Sequence, residues 1–317
     1  MIDNTREHLP PCIIGTWAWG SGINGSRMIF GQKADEQQLI DTYARAMALG
    51  FTFWDTAEVY GNGKSELLLA QCLKRVPGAK ISTKHMPGRK FRPEAMAKSL
   101  AASCRRLDIE APDLYFLHLP MNVSENTHAA VSLLKAGKIK SFGLSNVSLT
   151  QAKAAQDILT ASGFTLGAIQ NHFSLLSNPD LQAPLIQWCN DNQIPFFSYM
   201  VLEQGALSGR YSHKKGFPPL CMRSLNFPKS KFRKIAPLLE LMSVIAEKYH
   251  VGTSQIPIAW AIAKGTVPLI GLTRPQYADD LFAGAKVTLE AEETAALDRL
   301  ARDSGVVIKG VWEPDFS

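Results

Sequence analysis

Short apolar runs alternate along this chain with longer stretches in which apolar positions recur every three or four residues. "FTFWDT" (51–56) predicts a buried strand. The stretch before it, "ADEQQLIDTYARAMALG", predicts a helix, with Asp35 as N-cap, Gln38 three residues on and Gly50 as the stop. Next come "KISTKH" (80–85), a helix opened by Pro93 and carrying Leu100, Cys104 and Leu107, and "DLYFLHL" (113–119). "KIKSFGLSN" (138–146), a helix from Thr150 and "LGAIQN" (166–171) continue the alternation, followed by a helix around "LIQWCNDN" and then "IPFFSYM" (194–200). Beyond a long segment lie helical "PLLELMSVIAEKYH" and "TSQIPIAWAIAKG", then "VPLIGL" (267–272), a short "KVTL" (286–289) and a last helix. The strand candidates end near Asp55, Lys84, His118, Ser145, Gln170, Tyr199, Leu272 and Leu289. Continuous apolar strands alternating with helices predict a parallel sheet covered on both faces. Eight such units favour a closed (β/α)8 barrel of the TIM type over an open doubly wound sheet. No G-x-G-x-x-G follows the first strand, and no Pro-, Gly- or Ser-rich linker divides residues 1–317, so one α/β domain is predicted. The segment from about Gly205 to Lys234 is too long for an ordinary connection and is expected to be functional.

In such a barrel, chemistry gathers at the C-terminal ends of the strands. Those ends supply Asp55, Lys84, His118, Ser145 with Asn146, Gln170 with Asn171, and Tyr199, each closing an apolar run. Taken singly, each has a plain structural explanation: a turn cap, a snorkelling lysine, a satisfied core histidine. Converging on one rim, they read as a site. Tyr60, five positions beyond Asp55, is placed to lean over the same rim. A phenol titrates near pH ~10, and a nearby ammonium lowers that value by stabilising the phenolate. Lys84 is the candidate ammonium, Asp55 its anchor, and His118 a donor to a carbonyl oxygen. This set suits passing a proton to or from an oxygen while a hydride carrier acts at the carbon. Asn146 and Gln170 suit a carboxamide, and Tyr199 offers a flat face for a nicotinamide ring. Thr273 and Arg274 stand beside a helix start at Pro275, where free amides and the helix dipole favour phosphate.

A second reading of "GNGKSE" has to be weighed. Gly63, Lys64 and Ser65 match the end of a phosphate-binding loop, but the first glycine of that pattern is replaced by Glu58, which would repel the ligand. Five widely spaced cysteines, odd in number and without C-x-x-C, argue against a disulfide framework or a zinc site and predict a reducing, cytoplasmic setting. "MIDNTREHLP" lacks a signal peptide's apolar core, and the longest apolar stretch is broken by Lys264, Gly265 and Pro268, so no membrane association is predicted. The net charge of +6 favours anionic ligands. Basic clusters at 88–92 and 209–234 fit solvated loops, a loop over a phosphorylated cofactor or, least well, nucleic acid.

The chain resembles the aldo-keto reductases over nearly its whole length, from "IIGTWAWG" through "FTFWDTAEVYGNGKSE", "ISTKH", "DLYFLHL", "AGKIKSFGLSN", "IQNHFSLL", "FSYMVLEQGALSGRY" and "LIGLTRP" to a "W-E-P" ending. The D-T-A-x-x-Y-G-x-G-x-S-E element with downstream T-K and L-H is highly specific. The resemblance implies a (β/α)8 barrel holding NADPH along its C-terminal rim, with NADH the less favoured cofactor. It implies Asp55, Tyr60, Lys84 and His118 as a catalytic tetrad, with Tyr60 the proton donor in reducing an aldehyde or ketone substrate. It also implies cofactor contacts from Thr16, Trp17, Asp55, Ser145, Asn146, Gln170, Tyr199, Leu202, Gln204, Thr273, Arg274, Tyr277 and Asp280, and no metal. In that light "GNGKSE" builds the turn after Tyr60 and has no phosphate role. Tyr277 and Leu281 stand where the family usually has Arg or Gln and Asn, and Asp280 where Glu is common; Tyr277 is then a candidate to stack on adenine. NADPH preference therefore rests on Arg274 facing a 2′-phosphate. Phe173 replaces a common Tyr as packing. With little chain after Trp312, specificity is assigned to Trp17, Trp19, the "HMPGRKF" loop and the segment after Gly205, which favours aromatic or medium-chain aldehydes over sugars; the plain alternative for Trp19 is packing under the barrel floor. The alternatives are a non-catalytic NADPH-binding sensor on the same fold and a cofactor-free barrel isomerase or lyase. Oligomeric state is left open.

Overall fold

The structure, a computed structural model, describes residues 9–20, 35–218 and 221–310. The "W-E-P" ending, at 312–314, lies outside the described residues. Eight parallel strands close a barrel in sequence order: β1 (Ile13–Gly15), β2 (Phe53–Asp55), β3 (Lys80–His85), β4 (Leu114–Leu117), β5 (Phe142–Ser145), β6 (Leu166–His172), β7 (Phe196–Tyr199) and β8 (Val267–Gly271). Among the described residues, one α-helix stands between each successive pair of strands from β1 to β7: α1 (Glu36–Ala48), α2 (Lys64–Arg75), α3 (Ala95–Leu107), α4 (Val123–Lys135), α5 (Leu149–Thr160) and α6 (Ala183–Asp191). After β7 come two short helices, α7 (Met222–Asn226) and α8 (Lys229–Lys234), then α9 (Ala236–Lys248) and α10 (Gln255–Ala263). α11 (Pro275–Gly284) and α12 (Ala291–Asp303) follow β8. The predicted barrel is present, and the segment 205–234 is partly helical.

One predicted strand is not formed. "KVTL" is not a strand; the closing strand is β1, whose Ile13, Ile14 and Gly15 pair with Leu269, Ile270 and Gly271 of β8. That pairing leaves no free edge for residues 286–289 to join, and Leu289 is instead buried among the helices. The Tyr60 loop thus follows the second strand.

Alternation along the strands separates two cores. Trp54, Tyr115, Phe142, Leu144, Ile169 and Phe196 face the helical layer, while Ile13, Phe53, Leu114, Phe116, Ala168, Phe197 and Val267 fill the barrel lumen. Successive strand residues point to opposite faces, so two positions beyond the lumen-filling Phe53, Phe116, Ala168 and Phe197 stand Asp55, His118, Gln170 and Tyr199. The same period that packs the floor therefore lifts polar groups to the rim. Local chemistry starts the helices that pack around these strands. Asp35 accepts hydrogen bonds from Gln37 N and Gln38 N, and Ser148 forms a capping box with Gln151 that starts α5 one residue before the predicted Thr150.

Candidate active site

Asp55 ends β2 with its carboxylate inside the lumen, 1% exposed, and Lys84 of β3 is fully buried beside it. Lys84 Nζ is ion-paired with Asp55 Oδ2, donates to Thr56 O at 2.8 Å and lies 3.2 Å from the Tyr60 hydroxyl. The other carboxylate oxygen, Oδ1, accepts from Ser82 Oγ at 2.7 Å and from Gln170 Nε2 at 3.1 Å. A buried charge pair stands only when its remaining hydrogen-bonding capacity is met, and here neighbouring strands meet it.

Tyr60 is held by its loop. Its backbone N–H donates to Ala57 O at 3.1 Å, and its carbonyl accepts from Ser65 N at 3.3 Å. Gly20 packs so closely that a Cβ there would lie 2.7 Å from Gly61 N, so only glycine admits this approach. Ser65, fully buried, lies 2.9 Å from Thr16 O and 2.7 Å from Thr16 Oγ1, and Thr16 in turn donates to Asp55 O at 3.0 Å. Ser65, which matches the last position of a phosphate loop, is thus committed to internal bonds, while Lys64 is exposed. Gly63 packs on Arg106, which pairs with buried Glu66 (Nε–Oε2 2.5 Å), and Glu66 accepts from Thr83 Oγ1 beside Lys84. Glu58 ties the same loop to the strand-three exit, accepting from Met86 N at 2.6 Å and from Ser99 Oγ at 2.7 Å.

The electrostatics correct one expectation. Lys84 does not bring the Tyr60 phenol down; burial, reinforced by the Asp55 carboxylate, holds it well above its ordinary value. Lys84 itself is lowered by burial, against the opposing pull of Asp55. His118 packs edge-on to Tyr60, with ring centroids 5.9 Å apart. Burial first, then the charges of Lys84 and His85, keep its imidazole well below the usual range and hence neutral. Its buried Nδ1 has no hydrogen-bond partner among the described residues.

On the other side of Asp55, Ser145 Oγ donates to Gln170 O at 2.8 Å, while Asn146 Nδ2 donates to His118 O at 3.0 Å. The Tyr199 hydroxyl donates to Asn146 Oδ1 at 2.5 Å, so these four predicted residues form one connected edge. Leu202 and Gln204 lie in the turn after Tyr199; Leu202 O accepts from Gly205 N at 2.8 Å, and Gln204 O accepts from Arg223 Nη1 at 3.2 Å. Left-handed backbone at non-glycine residues costs on the order of 1–3 kcal/mol each, and this turn has it at Met200, Glu203 and Gln204.

Thr273 and Arg274 precede α11, whose N-terminus no side chain caps. Arg274 and Asp280 are exposed. The Tyr277 ring is covered by Arg210, whose guanidinium lies 4.9 Å from its centroid and donates to its hydroxyl at 2.5 Å. Of the two tryptophans expected to set specificity, Trp17 is partly exposed, 6.3 Å from the Tyr60 ring. Trp19 is 4% exposed and donates through Nε1 to Leu272 O at 2.7 Å, so it supports the rim rather than lining it. The sequence reading missed Ser82, Arg210 and a His172–Glu203 contact; Ser82 and His172 stand two residues from Lys84 and Gln170, the signal that could have found them.

Among the described residues no helix is long and apolar enough to cross a membrane, and no group of His, Cys, Asp and Glu could hold a metal ion. The family model described as the aldo/keto reductase family matches residues 11–302. An uncharacterized oxidoreductase of Mycobacterium bovis is 32% identical over 310 residues, covering 96% of this chain and 93% of the relative. A chloroplastic pyridoxal reductase of Arabidopsis thaliana is 30% identical over 314 residues, covering 93% and 84%. Among solved structures, a glycerol dehydrogenase from Gluconobacter oxydans superposes with a TM-score of 0.81 over 100% of this chain and 98% of that one, at 24% identity.

Proposed function

The chain belongs to the aldo/keto reductase family of NAD(P)H-dependent oxidoreductases, and on that premise we propose that it reduces aldehydes or ketones to alcohols with NADPH, Tyr60 delivering the proton. The observation that carries this reading is the Tyr60 hydroxyl 3.2 Å from Lys84 Nζ, with that lysine neutralised by a buried carboxylate. A phenol kept protonated is a donor at neutral pH and a poor base, which suits reduction. As the carbonyl oxygen gains negative charge, the Tyr60 proton moves to it, and Lys84 stabilises the phenolate left behind. Neutral His118, packed against the same ring, donates a hydrogen bond that orients the carbonyl oxygen. Preorganised donors of this kind act where charge develops.

The residues present suit the cofactor. Gln170, Asn146 and Ser145 present amide and hydroxyl groups along one edge beside Asp55, as a carboxamide requires, and Tyr199 ends the row with an aromatic ring. At the far end, an uncapped helix N-terminus and the exposed Arg274 suit phosphate. When bound there, NADPH supplies a hydride to the substrate's carbonyl carbon. Arg274, through a charge-assisted contact to a 2′-phosphate, supports NADPH over NADH. The partly exposed Trp17 beside Tyr60 supports aromatic or medium-chain aldehydes as substrates. The test is to supply NADPH and NADH separately with a panel of aldehydes, ketones and sugars, following loss of the reduced-nicotinamide absorbance. NADPH-dependent turnover, faster with aromatic aldehydes than with sugars, is expected. Tight NADPH binding with no oxidation across the panel would instead identify a regulatory sensor.

A further inference from the structure

Behind the Tyr199 ring lies a buried pair that the proton-transfer chemistry leaves unused. His172 stands two residues beyond Gln170 on β6, on the same face of the strand, and the ladder sets it directly opposite Tyr199 of β7. The two rings stack, with centroids 5.6 Å apart and planes 18° from parallel. His172 Nε2 lies 2.7 Å from Glu203 Oε1, and the same carboxylate oxygen accepts from Ser174 Oγ. His172 is 1% exposed and Glu203 4%. Burying a carboxylate is costly unless it is paired and hydrogen-bonded, and Glu203 has both an imidazole and a hydroxyl. Glu203 also belongs to the left-handed turn that follows Tyr199, and its N–H donates to Met200 O at 2.8 Å. The Tyr199 ring is therefore fixed twice: by Asn146 at its hydroxyl and by His172 across one face. The Glu203 carboxylate restrains the imidazole at its Nε2 edge.

We propose that His172 and Glu203 are positioning residues that set the plane of Tyr199, and through it the nicotinamide relative to the substrate carbonyl. This rests on the reading of Tyr199 as the nicotinamide platform. Misplacing a reacting group by about an ångström is enough to cost ~100-fold in rate, so a tilted platform is to be seen in hydride transfer before it is seen in overall affinity. The adenosine end, held near Arg274 on a different element, should be indifferent to the pair.

The experiment compares wild type with Glu203→Ala, Glu203→Gln and Ser174→Ala. Hydride transfer is followed by mixing the enzyme–NADPH complex rapidly with an aromatic aldehyde, using NADPH and NADPH deuterated at the transferred position. Binding of 2′,5′-ADP, which lacks nicotinamide, is measured by titration. Glu203→Ala is expected to slow hydride transfer about 10- to 100-fold and to raise the isotope effect on kcat, with 2′,5′-ADP affinity unchanged. Glu203→Gln, which keeps an acceptor for the imidazole, should recover most of the rate. Ser174→Ala, which removes only the second donor, should give a smaller loss of the same kind and serves if Glu203→Ala does not fold. A folded Glu203→Ala enzyme with wild-type hydride transfer and isotope effect would overturn the proposal. So would a Glu203→Gln variant no better than Ala, or 2′,5′-ADP affinity falling in step with rate, since either marks a merely structural role. Wild-type protein that binds no NADPH would overturn the underlying reading of Tyr199, whereas one that binds NADPH but oxidises none would overturn the pair's role in hydride transfer alone.

Discussion

Lys84 Nζ reaches the Tyr60 hydroxyl at 3.2 Å while bound to Asp55 deep inside the barrel. The lysine is therefore shared between a buried carboxylate that is always present and a phenolate that exists only when a proton has left. Burial, with the Asp55 charge added to it, keeps the resting phenol protonated; in the proposed mechanism the second role of Lys84 begins during the reaction. In that mechanism stability and catalysis meet in one ammonium, and substitutions can separate them.

Replacing Lys84 by Met leaves the Asp55 charge buried and uncompensated. Breaking a buried pair in this way costs about 3–5 kcal/mol, so Lys84→Met should lose stability on that scale in chemical denaturation. Adding Asp55→Asn removes the orphaned charge while keeping groups able to meet Ser82 and Gln170. The double variant should regain most of the lost stability yet remain at least ~100-fold slower in carbonyl reduction. A double variant as unstable as Lys84→Met would contradict the pairing.

The two reaction directions should respond to pH differently. The folded Tyr60 phenol lies well above its ordinary value near 10, so it keeps its proton through the whole neutral range. Reduction, which uses that proton, should hold a level kcat from about pH 6 to pH 9. Oxidation of the alcohol product needs the phenolate, whose small population grows about tenfold per pH unit below its pKa, so that rate should rise with pH over the same window. Steady-state rates in both directions against pH provide the check. A reduction rate falling steadily from pH 7 upward would mean that the phenol titrates far lower.

Arg274 is exposed at the uncapped start of α11. A hydrogen bond to a charged partner contributes about 1.5–3 kcal/mol, so Arg274→Ala should weaken NADPH binding roughly 10- to 100-fold. NADH affinity, lacking the 2′-phosphate, should change little. Titration of both cofactors by fluorescence decides it; equal losses for the two would remove the basis for NADPH preference.

Much of this site was legible because the barrel repeats one rule. A strand with alternate residues in the lumen brings Asp55, His118, Gln170 and Tyr199 to the rim two positions above an apolar floor, and the sequence carries that spacing openly. The rule fails where an element is too short to show it. β1 is three residues long, so its pattern is no stronger than that of "KVTL", and only closure of the barrel distinguishes them. The direction of the Tyr60 shift was also hidden, because it depends on burial and on which partner Lys84 reaches first. Trp19 looked like Trp17 in sequence; a hydrogen bond to Leu272 O, 253 residues away, separates them. Contacts of that range leave no local signature.

In the proposed mechanism Tyr60 gives its proton to a carbonyl reduced by NADPH. The most direct measurement is the absorbance of reduced nicotinamide after NADPH and an aromatic aldehyde are mixed with wild type and with Tyr60→Phe, alongside NADPH affinity for both. The substitution removes one oxygen and keeps the ring against Trp17 and His118. Wild type should oxidise NADPH, and Tyr60→Phe should bind it within about threefold of wild type while losing ~100-fold or more of the turnover. Turnover by Tyr60→Phe at a near-wild-type rate would contradict the claim and move the proton to another donor.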